Sequence, residues 1–360
     1  MDNINKKAVI AMSGGVDSSV AALLMKEKGY DCIGVTMKLI PDDTDVIDFE
    51  ASCCTQKDIE DAKKVAESIG IPHYLYNFSD RFKECVIDNF VSCYENGRTP
   101  NPCVECNRHL KFAALFGKAE ELGCSLVVTG HYAKVEYDEK IGRYLLKKAD
   151  DISKDQSYVL YALTQSQLSR AHFPLGSFSK DTVREIAERN SFINADKGDS
   201  QDICFVKNCS YSEFIENYTG KKYPEGNFVD AEGKVLGRHK GIIRYTVGQR
   251  KGLGLVLPEP LYVSKVDKET NTVVLSKEED IFTRELYAEN INLISCEKIE
   301  GKLIIKAKIR YRQQEAPATV EQIGEDKLRI VFDTPQRAVT KGQAVVLYDG
   351  DIVVGGGTIC

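Results

Sequence analysis

The chain has 360 residues, 42% of them hydrophobic and 28% charged, with a formal net charge of −6. That suits two or three domains with cores of their own. It excludes a membrane-spanning chain, since no apolar run reaches the roughly 18 residues a spanning helix needs, and argues against a uniformly basic nucleic-acid binder while allowing local basic patches.

The first half reads as strand alternating with helix. Ala8–Met12 is an apolar strand followed at once by SGGVDSS, and Val20–Lys28 is a helix stopped by Gly29. Cys32–Met37 is a second strand. Thr55 caps a helix whose Ile59, Ala62, Val65, Ala66 and Ile69 keep helical spacing up to Gly70. His73–Phe78 is a strand, Asp80–Tyr94 a helix, Asn107–Leu122 a helix ended by Gly123, and Leu126–Thr129 a fourth strand. Such alternation predicts a parallel sheet covered on both faces, with ligands bound beyond the carboxyl ends of its strands. Helical patterns continue over Ser153–Leu163 and Lys180–Arg189. Ser210–Tyr218 is one more helix, with Ser210 and Glu213 as a capping box. Short segments rich in Gly and Pro follow, and from about residue 280 strand follows strand, the pattern of a small β-barrel. The expected fold is therefore α/β with three domains: a nucleotide-binding domain over 1–206, a small central domain over 207–276 and a C-terminal β-barrel over 277–360.

SGGVDSS, Ser13–Ser19, joins a strand to a helix. Its glycines let backbone N–H groups face an anion, Ser13, Ser18 and Ser19 add hydroxyls, and the helix adds its positive end. The GK[ST] ending of a γ-phosphate-gripping loop is missing. Asp17 would repel phosphate unless it helps hold Mg²⁺ or orders the loop.

The chain has twelve cysteines, and its start, MDNINKKAVIAM, has no export signal. This points to a reducing, cytoplasmic setting in which they are thiols, metal ligands or catalytic groups. Cys32, Cys85, Cys93 and Cys124 sit in apolar patterns and read as core fillers. Cys103 and Cys106 lie in TPNPCVECN, just before the expected helix, whose positive end favours thiolate. That pair suits redox chemistry or half a metal site, and Cys204 in DICF suits either chemistry or core packing.

In chain order, SGGVDSS, PNPCVECN, GHYAK, KDQSYVLY, GDSQDICF, TVGQRKGLG, AKIRYRQ and GQAVVLYDGD resemble the bacterial tRNA-specific 2-thiouridylases over essentially all of the sequence. The first motif is similar to the loop of the N-type ATP pyrophosphatases. The resemblance implies ATP-dependent replacement of oxygen by sulfur at C2 of the wobble uridine, U34, in tRNAs for Lys, Glu and Gln. It implies that Ala11, Met12, Ser13, Gly14, Gly15, Val16, Asp17 and Ser18 hold the pyrophosphate of ATP, with Mg²⁺, and that Met37 and Gly130 contact the nucleotide. Cys204 matches the cysteine that receives a persulfide, and Cys106 the nucleophile that resolves it to a disulfide. Asn101, Pro102 and Cys103 match the segment touching the target base. Lys154, Asp155, Gln156, His131, Arg310, Tyr311 and Gln343 match tRNA contacts. The sulfur donor would be a cysteine desulfurase, a sulfur-relay protein or sulfide, and the free protein a monomer.

One position departs from the commoner motif, which carries aspartate where this chain has Cys103. A thiol does not replace a carboxylate at neutral pH. Cys103, Cys106 and Cys204 are instead three soft ligands, and a [4Fe–4S] cluster with one open iron is an alternative carrier of sulfur. Two further readings stand beside these. One is another adenylating enzyme with the same loop, of the amide-synthetase or tRNA-lysidine-synthase type. The other is a non-catalytic tRNA-binding iron–sulfur or zinc protein.

Two stripes lack Asp and Glu. The first, over 233–258, has Lys234, Arg238, Lys240, Arg244, Arg250 and Lys251. The second, over 302–314, has Lys302, Lys306, Lys308, Arg310 and Arg312. Such stripes neutralise RNA phosphates or simply face solvent. Alternation in KAKIRYR puts Lys306, Lys308, Arg310 and Arg312 on one strand face. TVGQRKGLG is expected to dock tRNA.

Overall fold

A computed structural model describes residues 6–40, 55–198, 203–206 and 209–360. β1 (Lys7–Ala11), β2 (Asp31–Lys38), β3 (His73–Asn77), β4 (Leu126–Val128) and β7 (Ala171–His172) form one parallel sheet in the order β3-β2-β1-β4-β7. Successive side chains of β1 serve opposite faces. Ala8 and Ile10 join a core with α1 (Val16–Glu27) and α2 (Gln56–Ser68), while Val9 joins the larger core under the helices of residues 79–121. Thr55 and Asp58 close a reciprocal capping box on α2, with Asp58 N donating to Thr55 Oγ1 at 3.0 Å and Thr55 N to Asp58 Oδ2 at 2.9 Å.

Three expectations about elements need correcting. The helix expected from Asn107 begins at Pro102, with Asn101 as its N-cap. It runs through Pro102–Cys106, a π-helical stretch Asn107–Ala114, and Leu115–Glu121. Proline is favoured at the first helical position, where no N–H is needed, so Cys103 and Cys106 lie inside the first turns rather than before them. The helix expected over Ser153–Leu163 is a single turn, Ser157–Leu160, followed by a second turn, Gln165–Leu168. Third, β13 (Lys302–Lys308) stops at Lys308, so Arg310 and Arg312 lie in the bend beyond it and the four cations do not share one strand face.

The centre of the chain folds as a four-stranded sheet, β8 (Gly226–Val229), β9 (Val235–His239), β10 (Tyr262–Asp267) and β11 (Thr272–Ser276). It surrounds Phe228, Tyr245, Val263, Val273 and Leu275. The expected capping box at Ser210 and Glu213 is present on the Tyr211–Thr219 helix. The C-terminal part is a closed barrel of β12 (Phe282–Leu293), β13, β14 (Ala316–Gly324), β15 (Lys327–Arg337), β16 (Ala344–Asp349) and β17 (Ile352–Ile359), sealed by pairing of β12 with β17. A hairpin from the first half, β5 (Lys134–Asp138) with β6 (Arg143–Lys147), extends this barrel's sheet through Ile352 opposite Lys147. Among the described residues no helix is long and apolar enough to cross a membrane.

Candidate active site

The loop Ser13–Ser19 leaves the carboxyl end of β1 and enters α1. Ser13 N donates to Ser18 Oγ at 3.2 Å, and the hydroxyls of Ser18 and Ser19 donate to the carbonyl of Gly15 at 2.9 and 3.1 Å. Gly14 has φ +74°, and a Cβ there would sit 2.2 Å from the carbonyl oxygen of Asp58. Its own carbonyl accepts from Asn194 Nδ2 at 2.9 Å and Lys197 Nζ at 3.0 Å. The peptide orientation of the loop is thus fixed from behind, as an amide-lined anion site requires. Asp17 accepts from Tyr132 OH at 2.8 Å and from the buried Lys180 at 2.8 and 2.9 Å, so its carboxylate orders the loop.

Around the loop, Met12 and Met37 are buried at the ends of β1 and β2. Gly130 packs so closely on α1 that a Cβ would lie 2.7 Å from Ser18 N. His131 is buried too, with 8% of its surface exposed. Its Nδ1 lies 2.6 Å from Thr129 Oγ1 and its Nε2 3.4 Å from Lys111 Nζ. Burial, then the charge of Lys111, holds its pKa well below the ordinary histidine value, so the imidazole is neutral.

Cys103 is exposed and Cys106 half-buried, on a helix whose Asn101 side chain accepts from Val104 N at 3.4 Å. Cys204 is half-buried and packs, like Cys106, against the larger core cluster. Next to it, Phe205 stands edge-on to Phe82 and Phe90, with ring centroids 5.7 and 5.2 Å apart. The Pro102–Cys106 turn packs on the π-helical Lys83–Ile87 between those two phenylalanines. Both cysteine-bearing segments therefore flank the helical run 79–95. Asp199, Ser200, Gln201 and Asp202 of the GDSQDICF motif lie outside the described residues. Cys32 and Cys124 are buried, and burial pushes the Cys32 thiol up to about 11, which makes it a core filler.

Among the described residues no three His, Cys, Asp or Glu side chains come together as a metal site. Cys103, Cys106 and Cys204 do not form the ligand set that an iron–sulfur cluster needs.

The remaining expected residues divide into two groups. Gln156 is knitted to the GHY segment: its N donates to Tyr132 O at 2.8 Å, and its Oε1 accepts from Tyr132 N at 3.0 Å. Asp155 is buried and accepts from Ala149 N, Ser157 N and Ser157 Oγ; burial pushes its carboxyl up against those bonds. Lys154 lies in the turn before it, its N bonded to Asp151 O. On the barrel, Arg310 donates to Ala338 O at 2.7 Å and Thr340 Oγ1 at 3.1 Å. Tyr311 lies 6.0 Å from Tyr158, and Lys308 stands over both rings at 5.7 Å. Gln343 donates to the carbonyls of Thr99 and Pro100 at 3.0 and 2.8 Å, which docks the barrel on the residues just before Asn101. Cys103 is within electrostatic reach of Tyr311.

Between these parts lies a cavity of about 850 Å³, lined by Thr99, Lys240, Arg310, Gln343 and much of the TVGQRKGLG loop. Arg238 and Arg244 also line it but are paired with Glu225 and Glu216. Sequence reasoning missed Lys180, Asn194 and Lys197, which hold the anion loop. They carry no motif spacing, and only the fold brings them to it.

A family model described as the HUP domain of tRNA methyl transferase matches residues 6–208. Others, a PRC-barrel domain and an aminomethyltransferase β-barrel domain, match 212–277 and 283–359. The tRNA-specific 2-thiouridylase MnmA of Clostridioides difficile (strain 630) is 53% identical over 356 residues, 99% of this chain and 98% of its own. That of Acetivibrio thermocellus is 50% identical over 355 residues, 98% and 99% of the two chains. A solved 4-thiouridine synthetase–RNA complex with bound ATP is remote, with 18% identity over 59% of this chain and 51% of that one and a TM-score of 0.37. With such identity to curated relatives from end to end, the chain belongs to the tRNA-specific 2-thiouridylase family.

Proposed function

We propose that the protein is a cytoplasmic tRNA-uridine 2-sulfurtransferase, monomeric when free, that uses ATP to thiolate C2 of U34 in tRNAs for Lys, Glu and Gln. The observation that carries the reading is the pair Cys106 and Cys204 on one core cluster, in a chain whose Ser13–Ser19 loop is shaped for pyrophosphate. A uracil C2 oxygen is a poor leaving group. Its attack on the α-phosphorus of ATP, with loss of the N3 proton and of pyrophosphate, turns it into part of AMP, which leaves well. Mg²⁺ bound with ATP would supply charge neutralisation to the phosphates, while the loop's own Asp17 is held by Tyr132 and Lys180.

The terminal sulfur of a Cys204 persulfide then attacks C2, and AMP departs with the bonding pair. The Cys106 thiolate attacks the Cys204 sulfur, forms the Cys106–Cys204 disulfide and releases 2-thiouridine, and N3 regains a proton. A dithiol reductant resets the pair. Asn101–Cys103, Arg310–Tyr311 and Gln343 would receive a nucleotide flipped from its stack. The iron–sulfur route is disfavoured, because its three cysteines are not gathered.

The test supplies ATP, Mg²⁺, a cysteine desulfurase with cysteine, and transcripts of the three tRNAs, and reads AMP and the mass of nucleoside 34. The expected result is one AMP per 2-thiouridine, lost in Cys106→Ser and Cys204→Ser. Anaerobic protein that holds iron and sulfide, and loses them with activity in Cys103→Ala, would overturn the persulfide route.

A further inference from the structure

Three lysines lie at the nucleotide loop or at the segment packed against it, and they differ in what answers their charge. Lys180 bonds both oxygens of Asp17, and Lys197 lies against Asp58 and Asp61. Lys111, half-buried on the π-helical stretch, has no carboxylate partner among the described residues. Its ammonium faces Nε2 of His131.

An ammonium has three donors and no acceptor, so the nitrogen facing it carries the lone pair. The ring proton is then on Nδ1 and donates to Thr129 Oγ1. The ring is wedged against Phe112 and Phe173, with centroids 6.0 and 5.9 Å away. A neutral imidazole therefore fixes Lys111 in place without cancelling its charge. Placing an uncompensated cation in a partly buried site is costly unless an anion arrives.

The surroundings say which anion. His131 follows Gly130, whose backbone abuts Asp17 and Ser18 in the first turn of α1. Lys111 is also on the same helical run as Cys106, a little further along. Through His131 it is linked to the segment that abuts the loop, and through its own helix to the turn that carries Cys106. A π-helical turn at this point is itself a common mark of a functional position. One turn earlier, the buried Asn107 donates to Val159 O, while its Oδ1 has no hydrogen-bond partner among the described residues.

The geometry points to Lys111 as a catalytic residue of the adenylation step, its ammonium taking up the charge of the α-phosphoryl group, with His131 and Thr129 as the positioning residues that aim it. This rests on the adenylation reading above. The C2 oxygen forms its bond to the α-phosphorus as the bond from that phosphorus to the bridging oxygen breaks, and pyrophosphate leaves with the electron pair. Charge on the non-bridging oxygens is greatest as this happens, and a preorganised cation is most effective there. When the C2–O bond later breaks, the same ammonium faces the departing AMP.

The experiment measures tRNA-dependent AMP formation at varied ATP for the wild type, Lys111→Met, Lys111→Gln and Lys111→Arg, with tRNA affinity and thermal melting alongside. Lys111→Met is expected to lose about 100-fold or more in kcat, with the KM for ATP within about threefold and tRNA affinity unchanged. Lys111→Arg should recover at least about tenfold over the Met variant, since it restores a cation. A lysine that merely filled space would give neither the split between kcat and KM nor the recovery. Should Lys111→Met not fold, the Gln and Arg variants give the same comparison. A kcat within about threefold of the wild type, a rise in KM alone, or equal damage by Arg and the neutral variants would overturn the assignment. Wild-type protein that makes no AMP with tRNA would instead sink the adenylation reading itself.

Discussion

Lys197 gives its three protons to Gly14 O, Asp58 and Asp61, and so ties the anion loop to the start of α2. Burial works to raise the Asp58 carboxyl, but the bonds from Lys197 and Thr55 overcome it and hold the value below the usual 3.8. A depressed carboxyl contributes stability that is complete above the unfolded value and fades as pH falls through the folded one. Lys197→Met should therefore cost about 3 kcal/mol near neutral pH, the loss expected when one partner of a largely buried pair is removed. The gap to the wild type should close below about pH 4. Urea unfolding across that range reads both, and a gap that does not change with pH would contradict the account. At Gly14, alanine would meet the left-handed penalty of about 1–2 kcal/mol and a collision with Asp58 O. ATP affinity, followed by equilibrium dialysis, should drop at least about tenfold. At this scale the loop itself was legible, because SGGVDSS places glycines and hydroxyls at fixed offsets. The groups behind it were not, because Asn194 and Lys197 approach only through the fold.

Helix boundaries show where local pattern succeeds and where it stops. Thr55 and Ser210 begin their helices as their side chains dictate, each with an acidic residue at the third helical position. At TPNPCVECN the pattern places the helix start only at Asn107, yet Pro102 occupies the one helical position that welcomes proline, behind the Asn101 cap. Asn101→Ala should cost about 1 kcal/mol, read as a lowered urea midpoint; an unchanged midpoint would mean that the cap contributes nothing to the turn carrying Cys103 and Cys106. In KAKIRYR the alternation was real only as far as Lys308, since period-two patterning says nothing about where a ladder ends. The β5–β6 hairpin alternates well enough to be recognised as strands. Which sheet it joins depends on β17, more than two hundred residues later, and no local signal carries that.

At the scale of the whole molecule the first half and the barrel are sewn together by side chains reaching main-chain carbonyls. Arg143 donates to Ile294 O, Asn292 to Tyr161 O and Leu163 O, and Gln343 to Thr99 O and Pro100 O. Calorimetry should accordingly show one cooperative transition with matching calorimetric and van't Hoff enthalpies; well-separated transitions would mean that these seams carry little energy. The basic cleft is also a property of the whole. Lys240 lines it beside the barrel's Arg310, and Arg250 and Lys251 lie in the same TVGQRKGLG loop. Replacing Lys240, Arg250 and Lys251 by glutamine should weaken tRNA binding and flatten its salt dependence, by about 0.9 in log–log slope for each phosphate that is no longer neutralised. An unchanged slope in filter binding would place the RNA elsewhere.

The strand β17 pairs with β16, with β12 and with the early hairpin through β6. It is also the last of these strands to be synthesised. Without β17 the barrel would be an open sheet with raw edges at β12 and β16, and β6 would have no neighbour on that side. A chain truncated before Ile352 would therefore expose unpaired strand to chaperones and proteases instead of presenting a closed barrel.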